Sequence, residues 1–435
     1  MSVMPLTLAE DKNLARDSAV QQCDMPLHVI QVPRRFVASD WGGTETVILQ
    51  TSRALEKRGY RSNIYTTTAM CDQRRESIHG IDVYRHSYSY PFFGLGKQAR
   101  HELDRKGGNL LSFSLLRSLI TAPDVDVLHA HSGKRLGGIV RTAARIRKIP
   151  YVISLHGGVY DVPGDEMQQM LQPLQGSFEW GRAFGAMLGA RRVLEDADAI
   201  ICVGQNEQRE VQARFPNKRV EWLPNGVDAR GFSHGNGSSF REKHNIPAHS
   251  KMILCVSRID YQKNQLALVE IMNGLQYKHP DAHLVLIGPV TIESYRKKID
   301  EEIKNCGLQQ KITILPGFPP GSSELVDAFH AADVFCLPSQ HEPFGIVVLE
   351  AWAAGLPVVA SRVGGIPTFT EDGKNILHTE PGEPSTLLAA IDALLKDHEL
   401  ASKLAENGMK KAISQFDWSQ ISQRLSSIYH EIRTH

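Results

Sequence analysis

Leu223-Pro224-Asn225-Gly226-Val227-Asp228 divides the chain into two halves that share one rhythm. A Pro-Asn-Gly run is turn chemistry: proline cannot continue a sheet ladder, and asparagine and glycine tolerate the left-handed backbone. Before it, short Val/Ile/Leu-rich runs recur at 27–32, 62–66, 125–129, 151–155, 199–203 and 220–223, with helical patterns between them. After it the rhythm restarts at 252–256, 282–287, 312–315, 334–337 and 357–360. Unbroken apolar strands between helices indicate parallel sheets covered on both faces, since a strand with one solvated face would alternate apolar and polar residues. The expectation is an α/β protein with two doubly wound, Rossmann-like domains facing each other across a cleft. Residues 26–225 would form the first domain and 226–415 the second. A last helix, at about 416–435, would pack back on the first. Residues 1–25 carry Glu10, Asp11 and Asp17 without an apolar segment, and read as a disordered tail, not a secretion signal.

A chain of 435 residues with 42% apolar and 22% charged residues is ordinary for a globular protein of two or three domains. Its net charge of +1 gives no global pull toward nucleic acid. Charge is uneven, however: between Arg85 and Lys148 there are 12 Lys/Arg against 4 Asp/Glu. That stretch is either a solvated helix face or a cationic surface for an anionic lipid or acidic acceptor. The six cysteines form no Cys-x-x-Cys pair, and several sit inside apolar runs, as small buried thiols do in a reducing compartment. No apolar run approaches the length of a membrane span.

In open α/β sheets ligands bind beyond the carboxyl ends of the strands, so residues just after strands carry the information. In the second half, Glu342-Pro-Phe-Gly-Ile-Val-Val-Leu-Glu350 follows the strand at 334–337. Proline suits a first helical turn, which places Glu342 before a helix and Glu350 about two turns inside it. The amides of Phe344, Gly345 and Ile346 would then be free N-terminal donors for a phosphate, with a carboxylate at either end for hydroxyl groups. A buried helix with a capping glutamate is the plainer alternative. Arg258 and Lys263 follow the strand at 252–256 and could clamp a diphosphate, Arg as a fork and Lys as a point charge, unless Asp260 simply pairs with one of them. Gly317 and Phe318 end another strand and could border a nucleobase. Ser361-Arg-Val-Gly-Gly365 sets paired glycines after the strand at 357–360, where backbone amides could face the cleft.

In the first half, Gly42 and Gly43 open a helix after the first strand and let a phosphate approach the backbone. His156 ends a strand beside Gly157-Gly158, either facing the cleft or bonded to a loop. His129 and His131 end another strand, but no carboxylate or thiol has the spacing of a metal site. Gly94-Leu-Gly-Lys-Gln-Ala99 matches a dinucleotide-loop pattern without the strand before it or the acidic residue after it, and is set aside. Asp161 to Gly176 is polar and reads as a loop over the cleft.

The ordered set Gly42-Gly43, His156, Arg258 with Lys263, and Glu342-x7-Glu350 resembles the retaining glycosyltransferases of family 4, which have the GT-B fold. Phe416-Asp417-Trp418 and the helix after it look like that family's closing segment. The resemblance implies a hexose transfer from a nucleoside diphosphate sugar, with UDP-glucose favoured, to a glycan or lipid-linked saccharide acceptor, as in bacterial polysaccharide synthesis. It implies that Arg258 and Lys263 hold the diphosphate and stabilise its departure. Glu342 would contact the sugar hydroxyls and Glu350 the ribose. Phe344, Gly345 and Ile346 would offer amides, Gly43 would approach the phosphate, and His156 would lie near the sugar's 6-hydroxyl. Gly317, with the segment around Leu315, would border the base. No metal or other cofactor is implied, because the two cations take that charge. Retention by two carboxylates in the hydrolase manner needs them about 5 Å apart, which Glu342 and Glu350 do not readily achieve. Front-face displacement is therefore expected. Another GT-B enzyme such as a UDP-sugar epimerase, or a silent sugar-nucleotide-binding protein, is the alternative. The expected setting is the cytoplasm, with peripheral contact at the inner membrane surface and no nucleic-acid partner.

Overall fold

The computed structural model describes residues 26–38, 41–157, 174, 176–319 and 321–434. The expected tail at 1–25 and nearly all of the expected loop at 161–176 lie outside them.

The first sheet has eight strands: β1 (His28–Val32), β2 (Arg61–Thr67), β3 (Arg75–Ile78), β4 (Ile81–His86), β6 (Val127–Ala130), β7 (Tyr151–Leu155), β9 (Ala199–Cys202) and β10 (Val220–Trp222). Between these, β5 (Phe92–Phe93) pairs with β8 (Phe178–Glu179) in a separate antiparallel ribbon. The sheet order is β10-β9-β7-β6-β1-β2-β4-β3, parallel throughout except for the β3–β4 hairpin. The second sheet contains β11 (Lys251–Val256), β12 (Ala282–Ile287), β13 (Ile312–Leu315), β14 (Val334–Leu337), β15 (Val358–Ser361) and β16 (Leu377–Thr379). Its order is β13-β12-β11-β14-β15-β16, all parallel. Both orders step outward from a first strand, return past it and continue on the other side. The crevices therefore fall between β1 and β6 and between β11 and β14.

Burial explains why these strands lack alternation. β7 and β12 are buried at every position, with helices on both faces. Other strands carry no such run. The β3–β4 hairpin turns through His79 and Gly80, both at positive φ, a two-residue turn whose twist matches the strands it joins. β4 alternates buried and half-buried residues, as an edge region should. β16 is three residues long and only its last is fully buried.

The chain leaves the first sheet at 223–228 and returns to it at 416–418. Val227 N donates to Phe416 O at 2.8 Å, and Trp418 N donates to Val227 O at 3.1 Å. Asp417 caps the last helix, Trp418–Arg433, accepting from Ser419 N at 2.9 Å. That helix buries Ile421, Leu425, Ile428 and Tyr429 against Leu27, Val29, Val127 and Val152 of the first sheet.

Candidate active site

Arg258, Lys263, Glu342 and the amides at 344–346 lie on the loops where β11 and β14 end. The loop after β11 runs Ser257 to Asn264, and Asn264, at φ 54°, caps the helix Gln265–Lys278. Asp260 organises this loop. Buried, it accepts from Lys263 N at 3.1 Å, takes the Thr291 hydroxyl at 3.2 Å and pairs with Arg258 at 3.2 Å. The sequence left Asp260 as a rival partner for the two cations; it holds only Arg258 through its side chain. Arg258, half exposed, also donates to Gln262 Oε1 at 2.9 Å and stays at the rim. Lys263 turns inward: its Nζ lies 2.6 Å from Glu342 Oε2, with the side chains only 12% and 10% exposed. Ser339, which carried no sequence signal, reaches the same oxygen at 3.4 Å. Gln340 N donates to Gln262 O at 2.8 Å and ties the two loops together.

The helix after Glu342 is Ile346–Ala353. Pro343 therefore precedes the helix instead of opening it, and Glu350 lies little more than one turn inside, not two. The cause is Gly345, whose φ of +97° ends the loop in a left-handed cap. Among the described residues no acceptor meets the amides of Phe344, Gly345 and Ile346. The Phe344 ring is buried against Phe369, with centroids 4.7 Å apart. Glu350 is partly buried, has no charged partner among the described residues, and burial pushes its carboxyl up to about 7.

The paired glycines after β15 serve a different purpose from the one expected of them. Gly365 N donates to Glu342 O at 2.8 Å. At Gly364, φ +53°, an added Cβ would stand 2.0 Å from that same oxygen. These residues seat the Glu342 loop by backbone contact. Phe318 turns toward Phe240 and His244, centroids 6.4 and 6.1 Å away, which leaves Gly317 as the exposed member of that pair.

The first crevice meets the second at close range. Gly42 caps the helix Gly43–Lys57 and donates its amide to Glu45 Oε2 at 3.1 Å. A Cβ on Gly43 would lie 3.8 Å from Ile346 Cδ1, so two helix N-termini face each other across the cleft. At Gly157, φ +86°, a Cβ would stand 2.6 Å from Pro343 Cβ. His156 Nε2 is 2.9 Å from His131 Nδ1, and His129 is bonded to Tyr429 and Ser154. Burial lowers all three imidazoles, His129 to about 3 and His156 to about 4, so they are neutral near pH 7.

Three of the twelve basic residues in that stretch are drawn inside the fold. Arg85 pairs with Glu76, Arg135 with Glu179 and Arg141 with Asp196, all three arginines being buried. Lys97, Arg100, Arg105, Arg117, Lys134, Arg145 and Lys148 are exposed, most of them on helices, as a solvated helix face would have them.

Two opposed helix N-termini, a buried Lys–Glu pair and two doubly wound sheets describe the GT-B class. A glycosyltransferase from Rickettsia africae shares this fold with a TM-score of 0.70 at 19% identity, over 94% of this chain and 99% of that one. Anabaena HepE, solved in complex with UDP, also reaches 0.70, at 20% identity, over 93% and 100%. Residues 41–230 match Glycosyltransferase Family 4, and residues 238–411 match Glycosyl transferases group 1. A D-inositol 3-phosphate glycosyltransferase of Corynebacterium glutamicum is 28% identical over 419 residues, 90% of this chain and 92% of that protein. The chain belongs to glycosyltransferase family 4 and is a glycosyltransferase.

Proposed function

We propose that the protein transfers a hexosyl group, with retention, from a nucleoside diphosphate sugar to a saccharide or lipid-linked saccharide acceptor. UDP-glucose is the preferred donor in this reading, and bacterial polysaccharide synthesis the process served. The observation that carries it is the Lys263–Glu342 contact at 2.6 Å, set before the helix N-terminus at Ile346 and opposite Gly43. A diphosphate between two helix N-termini meets unpaired amides and two positive dipole ends. Lys263 would exchange Glu342 for phosphate oxygen, and Arg258 would swing in from the rim. Glu342, released, would accept from sugar hydroxyls, and Glu350 from the ribose.

In the reaction, the bond from the anomeric carbon to the diphosphate breaks while the acceptor oxygen adds from the same face. The acceptor's proton passes to the departing phosphate, giving a glycoside and a nucleoside diphosphate. Lys263 and Arg258 stabilise the developing charge, so this route asks for no metal. Two features favour it over a covalent glycosyl-enzyme: the carboxylate nearest the phosphate site is paired to a lysine, and the other lies on the helix beyond it.

Donor choice is tested by thermal melting with UDP-glucose, GDP-mannose, ADP-glucose and UDP, because a ligand specific to the native state raises its apparent stability. UDP-glucose and UDP are expected to raise Tm, and no shift with any of the four contradicts the assignment. Transfer assays should include inositol 3-phosphate beside saccharide acceptors, since relatives are named for it.

Peripheral membrane contact would use the β5–β8 ribbon. Phe93 and Phe178 are 62% and 71% exposed there, Met187 on the following helix is 67% exposed, and the Phe93 and Trp180 rings lie 6.0 Å apart. Lys97, Arg100 and Arg182 are exposed nearby in the chain, and suit an anionic lipid surface. Among the described residues no helix is long and apolar enough to cross a membrane. Sedimentation with phosphatidylglycerol vesicles is expected at low salt and should fade at high salt. No sedimentation at low salt counts against this contact.

A further inference from the structure

Behind His156 lies a run of buried polar groups that the transfer reaction does not itself use. His131 Nδ1 is 2.9 Å from His156 Nε2, and His131 Nε2 is 2.7 Å from Gln31 Oε1. Gln31 is fully buried on β1. Among the described residues its amide nitrogen meets no partner at hydrogen-bond geometry. Tyr429, on the last helix, lies 2.6 Å from His129 Nδ1, and His129 Nε2 lies 2.7 Å from Ser154 Oγ. His129, His131 and His156 line a cavity of about 20 Å³ with Asn225 and Trp418. Among the described residues Asn225 Oδ1 also has no partner, and the space suits one bridging water.

Each neutral imidazole in such a run must donate at one nitrogen and accept at the other. Burial keeps all three rings neutral, so the direction set at one end is passed along. The amide of Gln31 sets that direction. Its oxygen faces His131, so His131 carries its proton on Nε2 and leaves Nδ1 to accept. His156 then carries its proton on Nε2 and gives it to His131, which leaves His156 Nδ1 bare. Among the described residues that Nδ1 has no partner.

We propose that Gln31 and His131 are positioning residues that fix the tautomer and orientation of His156, so that it presents a hydrogen-bond acceptor to a donor-sugar hydroxyl. The consequence for catalysis rests on the transferase reading above, whereas the tautomer does not.

The test is two-bond ¹H–¹⁵N correlation NMR on the full chain labelled with ring-¹⁵N histidine, without substrate. His156→Asn and His131→Asn identify the two rings. The expected result is Nε2–H at both His131 and His156. An Nδ1–H or mixed tautomer at His156 overturns the proposal. Gln31→Met should mix the His156 tautomers and lower kcat roughly tenfold with a smaller change in donor KM. Gln31→Glu can only accept when ionised. It should keep both Nε2–H forms and a kcat within about threefold of the parent. A pure Nε2–H tautomer in Gln31→Met would show that the run does not set it. If no nucleotide sugar is turned over, the transferase reading fails while the tautomer result still stands or falls alone.

Discussion

Lys263 and Glu342 each need the other to be tolerable where they are. Removing the lysine leaves a carboxylate that is 10% exposed, and breaking such a pair costs about 3–5 kcal/mol. Lost activity in Lys263→Ala therefore has two sources, and a double variant separates them. Lys263→Ala should lower kcat by roughly 10²–10³ and also lower Tm. Lys263→Ala with Glu342→Gln should recover most of the Tm and none of the kcat. Recovery of both would make the pair structural only. Glu350 gives a pH-dependent counterpart. Burial raises its carboxyl from 4.5 to about 7, so the unfolded chain gives up that proton first. Stability contributed by the protonated group is full below about pH 4.5 and is lost as pH rises to about 7. The loss is on the order of 3 kcal/mol. Glu350→Gln should accordingly resist urea better than the parent at about pH 8 and differ little at about pH 5. A gain of equal size at both pH values contradicts this.

Between residue and domain, the loops after β11, β14 and β15 act as one seat. Gly364 is the position where this seat has no slack: an added Cβ would meet Glu342 O at 2.0 Å, at a φ of +53°. Gly364→Ala should push the Glu342 loop away and lower kcat at least tenfold while destabilising by about 2 kcal/mol or more. Gly373 is the control. It has a φ of +69° with nothing within 4 Å, so Gly373→Ala should cost about 1 kcal/mol and leave kcat unchanged. Equal kinetics for the two variants contradicts the seating role. These elements also show what the sequence could and could not convey. β7 and β12 were legible because every side chain is buried. β16 was not, because three residues with one fully buried carry no period. The β3–β4 hairpin was legible in principle, from His79-Gly80 between Ile78 and Ile81, but its alternation is that of an antiparallel edge in an otherwise parallel pattern. Arg258, Lys263 and Glu342 could be named from their places after strands. Ser339 and Gln31 could not, since each matters only through contacts between distant segments.

Across the whole molecule, the joint at 223–228 and the return at 416–418 form one structure. A Cβ on Gly226 would stand 2.6 Å from Trp418 Cε3, so the indole lies directly on the turn. Trp418, 7% exposed, joins the last helix to the first sheet. Trp418→Ala should cost about 3–5 kcal/mol in urea denaturation. A loss under about 1 kcal/mol would mean that the crossing is held elsewhere. The tandem rhythm and the Asn-Gly joint made the two-sheet plan readable. The basic stretch was legible in part: most of its cations are exposed, but linear charge counts do not show that Arg85, Arg135 and Arg141 are paired inside the fold. The central claim is that the opposed helix N-termini and Lys263 hold the diphosphate of a sugar nucleotide. Calorimetric titration of UDP-glucose into the parent and into Lys263→Ala with Glu342→Gln tests it most directly, because that variant keeps the fold and removes the cation. Saturable one-to-one binding by the parent, weakened at least about 100-fold in the variant, is the predicted result. Equal affinity in the two proteins, or no binding by the parent, would contradict it.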